Sequence, residues 1–195
     1  MGINLGVDTA LAWSRAVSSA AASFAEGNYF EAFETACIGI ETAEINDYQG
    51  IAGTADLHFI RARCLLEFSK IDEALEAFNL VRRIALASKQ KVLYILADGY
   101  LLRQHVLEGK IEQAFDGIKE QRELLQTVSS TNQLDSLVDT NEAYLRYIVK
   151  DYDRVLTLLD RMPDGNFVSR FKPYVLQLQG KKIPENHIEN LPTKT

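Results

Sequence analysis

Apolar residues recur at helical spacing along most of the chain, and the stretches that carry them come in pairs. Trp13, Val17, Ala20 and Phe24 stand three or four apart, the spacing that lines up side chains on one face of an α-helix. Gly27 interrupts this stripe where a backbone with positive φ would end a helix. Tyr29, Ala32, Phe33, Ala36 and Ile40 then form a second stripe. A polar stretch from Asn46 to Thr54, holding Gly50 and Gly53, separates this pair from the next. The plan repeats as Ala55, Phe59, Ala62 and Leu66, followed by Ile71, Ala74, Leu75, Phe78 and Val81. Beyond the join Ser88-Lys89-Gln90 come Ile95, Gly99, Leu102 and Val106, then Ile111, Ala114, Phe115 and Ile118. Capping hydroxyls at Ser129-Ser130-Thr131 precede the fourth pair, with Ala143 and Tyr147, then Tyr152, Val155, Leu156 and Leu159. Residues 1–7 are a lead-in, with Asp8 or Thr9 capping the first helix.

The joints inside the pairs repeat as well. Gly27-Asn28-Tyr29-Phe30-Glu31-Ala32 is matched by Ser69-Lys70-Ile71-Asp72-Glu73-Ala74 and by Gly109-Lys110-Ile111-Glu112-Gln113-Ala114. Lys150-Asp151-Tyr152-Asp153-Arg154-Val155 is a worn fourth copy. From marker to marker the steps are 42, 40 and 41 residues. A fixed period in this range belongs to stacked repeats, each burying its apolar face against its neighbours. Met162-Pro163-Asp164-Gly165 stops the pattern. Phe171, Tyr174, Val175 and Leu178 then predict a closing helix, starting near Pro173, that covers the last repeat. The expected architecture is all-α: a right-handed α-solenoid of four helix–turn–helix repeats at about 9–46, 54–88, 92–128 and 132–162. A capping helix at 167–180 completes a domain over 1–180, and 181–195 is a polar, flexible tail.

Composition narrows the function classes. In 195 residues, 47% are hydrophobic and 25% charged, the balance of a folded domain with a substantial core. A net charge of −6 argues against nucleic acid, which attracts a basic face. The N-terminus lacks the basic start of a signal peptide, and no apolar run is long enough to span a membrane. Cys37 and Cys64 lack metal-ligand or disulfide-framework spacing, which suits small buried residues in a reducing, cytoplasmic setting. His58, His105 and His187 are scattered, and no nucleophile motif or phosphate-binding glycine loop occurs. No catalytic residue, metal site or cofactor is expected.

The joint motif, with a small residue twelve positions before each marker (Ala20, Ala62 and Ala143, but Leu102 in the third repeat), resembles the tetratricopeptide repeat. The resemblance covers residues 9–162. It departs from the family in its period of about 41 rather than about 34 residues, and in having Glu44, Leu86 and Gln126 where the family usually has proline. It is nearest to long-period repeats of bacterial regulatory proteins. The resemblance implies a concave groove lined by the first helix of each pair. Transferred to this chain, the groove positions are Ser18 and Ala21, Ile60 and Arg63, Tyr100 and Arg103, and Asn141 and Tyr144. The carboxylate clamp of chaperone-binding members is missing, because Val17, Ala21, Ile60, Leu96 and Tyr100 occupy its positions.

Two arginines interleaved with two tyrosines suit an extended, acidic peptide or protein segment. The competing reading makes Arg63 and Arg103 solvated side chains paired with local acids such as Glu67. The resulting expectation is a protein-interaction module, an adaptor or scaffold without enzymatic activity. The alternative is a sensory module whose superhelix responds to a peptide or small ligand. Self-association into a homodimer, through apolar residues such as Leu96, Leu107 and Leu137, is the third option.

Overall fold

A computed structural model of the protein describes residues 5–48, 52–127, 132–163 and 165–181. The described residues form α1 (Leu5–Ala25), α2 (Tyr29–Ile45), α3 (Ala52–Glu67), α4 (Ile71–Ala87), α5 (Lys91–Leu107), α6 (Ile111–Gln126), α7 (Asn132–Ile148), α8 (Tyr152–Leu159) and α9 (Asn166–Leu178). No strand occurs among them, and consecutive helices pack as hairpins, so the protein is an all-α helical-repeat fold. Gly50, the run Ser129-Ser130-Thr131, Asp164 and the tail beyond Lys181 lie outside the described residues.

The joint motif earns its repetition at the turns. Gly27, Ser69, Gly109 and Lys150 all have left-handed backbones, with φ of 82°, 59°, 76° and 63°. After each, an N–H reaches back to a carbonyl five residues earlier: Asn28 to Ser23, Lys70 to Leu65, Lys110 to His105 and Asp151 to Arg146. This closure satisfies carbonyls that a helix end leaves bare. The marker residue then starts the next helix, as Ala32, Ala74, Ala114 and Val155 donate to the carbonyls of Asn28, Lys70, Lys110 and Asp151. All four markers are completely buried. A side chain larger than valine there would push two helices apart.

Two predicted boundaries move. α1 already runs from Leu5, so Asp8 lies within the helix instead of capping it. α9 begins at Asn166, after the extended Gly165, and carries Pro173 in its interior. An interior proline removes one backbone bond and costs about 3 kcal/mol against alanine. Here Val168, Phe171 and Val175 of α9 pack with Val155, Leu158, Leu159 and Met162, and that burial outweighs the local cost.

The chain divides into two compact units, Met1–Leu101 and Leu102–Thr195. In the first, Ala20, Ala36, Ile40 and Leu57 join α1, α2 and α3. Ala62, Leu65, Ala74, Phe78, Val81 and Ala97 form the larger core of α3, α4 and the start of α5. Phe78 and Tyr100 stack face to face, with ring centroids 4.3 Å apart. In the second unit, Leu102, Val106, Ala114, Ile118 and Leu145 make one cluster, and α7, α8 and α9 make another. Gly117 lies so close to the methyls of Leu102 that a Cβ there would overlap them. Leu102 is the large residue that breaks the small-residue rule, and Gly117 is the space that admits it.

Candidate functional site

The sequence-derived positions are divided between the two units. In the first, Ile60 is half-buried against the cluster of Ala20, Ala36 and Leu57. Arg63 is half-buried, with its guanidinium 4.3 Å above the ring centroid of Phe24, a cation–π geometry. It makes no ion pair among the described residues, with Glu67 or any other acid. Its planar fork is thus held by an aromatic face with no carboxylate paired to it among the described residues. Tyr100 is half-buried, enclosed by Phe78 and Phe59. Ser18 and Ala21 are exposed, and Leu96 is half-buried.

In the second unit Arg103 lies 5.2 Å from the ring centroid of Tyr144. Asn141 is only 4% exposed, and its amide nitrogen donates to Gln121 Oε1 at 3.2 Å. Asn141 therefore bridges α6 and α7 inside the unit and presents no surface to a ligand. Leu137 is half-buried, whereas Leu107 is 73% exposed.

The densest charge was not among the predicted positions. Asp139 and Glu142, both buried on α7, gather four arginines. Arg122 Nη2 donates to Asp139 at 2.5 Å and to Glu142 at 2.7 Å. Arg161 reaches Asp139 at 2.6 Å, while Arg154 and Arg146 reach Glu142 at 3.3 and 3.4 Å. Burial by itself would raise the Glu142 carboxyl, but the hydrogen bond and charge of Arg122, with Arg154 beside it, hold it below the ordinary carboxylate range. Its saturation with partners makes this network a clasp between α6, α7 and α8. Arg82 and Asp98 form the same link between α4 and α5, at 3.0 Å. The repeat spacing carried the signal, since Arg82 and Arg122 lie 40 residues apart and Asp98 and Asp139 lie 41 apart.

At the equivalent first junction the pair is Ile40 and His58. His58 is 6% exposed, and its Nδ1 has no hydrogen-bond partner among the described residues. Burial, with the nearby charge of Arg61, lowers its pKa to about 4. Burial also pushes the Cys64 thiol up to about 11 and raises that of Cys37, so neither is poised as a thiolate nucleophile. Among the described residues no group of three or more His, Cys, Asp or Glu side chains could hold a metal ion. No described helix is long and apolar enough to cross a membrane.

Neither a protein-family model nor a curated protein sequence matches this chain.

Proposed function

We propose that the protein is a tetratricopeptide-like interaction module that binds an acidic peptide or protein segment through the first-helix faces of its repeats, Arg63 being the principal contact. One observation carries this reading. Arg63 is braced by Phe24 and makes no ion pair among the described residues. A guanidinium already oriented by an aromatic ring loses less freedom when it takes a carboxylate in a forked hydrogen bond. Arg103 over Tyr144 gives the second unit an arginine on an aromatic face as well, and a cytoplasmic adaptor is the role that suits both.

The test is affinity capture from the source cell extract, comparing wild type with Arg63→Glu/Arg103→Glu. The reading expects a partner held by wild type and lost by the variant, at unchanged helicity. A partner that survives the charge reversal would place binding elsewhere on the protein.

A further inference from the structure

The second helix of the first repeat is apolar on two opposite sides. Its inner side, Ala32, Ala36, Gly39, Ile40 and Ala43, is buried against α1 and α3. Directly opposite, within an arc of about 80° at 100° per residue, stand Phe30, Glu34, Ile38, Glu41 and Ile45. Phe30, Ile38 and Ile45 are 68%, 62% and 76% exposed. They alternate along the helix with the two exposed glutamates, and Glu31 and Glu44 flank the stripe. α2 contains no lysine or arginine, and none of its four glutamates makes an ion pair among the described residues.

The third repeat is an internal control. In the third repeat the corresponding positions are Glu112, Asp116, Glu120, Glu123 and Thr127, all exposed and all polar. Phe30 is answered by Asp72, Glu112 and Asp153. The fold therefore does not require large apolar groups at these places, and leaving them in water gains nothing for stability.

We infer that the outer face of α2 docks a basic amphipathic helix of a partner protein. Apolar residues at helical spacing are what a helix laid alongside would cover. Four acidic groups without cationic partners select lysine and arginine on its flanks. The same charge disfavours other occupants: a second copy would set glutamate against glutamate, and an anionic lipid surface would be repelled. This surface is separate from the first-helix faces, so the two can fail independently.

The probe is a synthetic peptide of α2's own length, 17 residues, with leucine and lysine at amphipathic helical spacing. A scrambled peptide of the same composition controls for charge alone. Binding is followed by fluorescence anisotropy for wild type, Phe30→Asp/Ile38→Glu, Glu34→Lys/Glu41→Lys and Arg63→Glu, with circular dichroism on each. The expected result is binding to wild type and Arg63→Glu, weaker by about tenfold or more in both double variants and for the scrambled peptide. The first double variant decides most, because it adds negative charge while removing only apolar surface. Undiminished binding by either double variant, equal binding of the scrambled peptide, or no binding to wild type overturns the inference. So does sedimentation showing a dimer that Phe30→Asp/Ile38→Glu dissolves, which would give the face to a second copy.

Discussion

At Ser69 and Lys150 the chain adopts a left-handed backbone that glycine enters without steric cost. The equivalent Gly27 and Gly109 show the same turn made by the residue suited to it. Ser69→Gly and Lys150→Gly should each raise stability by up to about 1 kcal/mol, the αL penalty of an L-residue less glycine's extra unfolded freedom. A higher urea midpoint at unchanged slope would show it. His58 gives a second residue-scale outcome. Its pKa is about 4 when folded and near 6.5 when unfolded. The folded state therefore prefers the neutral ring, and the associated stability is complete above the unfolded value. As pH falls from 6.5 through 4 that stability is lost, on the order of 3 kcal/mol. His58→Gln should flatten this part of a stability–pH profile measured by denaturant titration.

Between helices the outcomes depend on matched pairs. Gly→Ala inside a helix ordinarily stabilises by about 1 kcal/mol. At Gly117 the new methyl meets buried Leu102, and the expected result is a loss of about 1–3 kcal/mol from overpacking. Leu102→Ala alone should cost about 2–5 kcal/mol for its lost core contacts, but in that background Gly117→Ala should cost little or nothing, and a double-mutant cycle by thermal unfolding would detect the coupling. The charge clasp behaves differently. Glu142→Gln leaves Arg122, Arg146 and Arg154 half-buried without that carboxylate, at a cost of about 3 kcal/mol. Because the folded Glu142 carboxyl titrates below its unfolded value, its stabilisation is present above about pH 4.3 and fades as pH falls through the lower folded value. The variant should therefore show a weaker loss of stability in that acid window.

At the scale of the whole chain, the two compact units give the Glu142→Gln experiment a spatial signature. Hydrogen exchange should lose protection in α6, α7 and α8, while α1 to α4 keep theirs, since stacked repeats are held mainly by neighbours. Uniform loss over both units would mean that the clasp supports the entire fold.

The sequence by itself determined the helices, their pairing and the turn chemistry. Periodic apolar stripes, the glycines at 27 and 109 and the buried markers act through contacts a few residues away in the chain. Leu102 was visible as an exception, but not that Gly117 accommodates it, because that contact joins two helices. The arginine–aspartate links were written in the repeat spacing, yet only packing showed that Asp139 and Glu142 are buried and saturated. Asn141 looked like Tyr100 by position. Tertiary structure turned it inward to Gln121, while it braced Arg63 on Phe24 and left Phe30, Ile38 and Ile45 in water. Periodicity identifies which residues share a helix face. Which neighbour covers that face, and which polar groups find partners there, depends on distances between helices that only the folded chain sets.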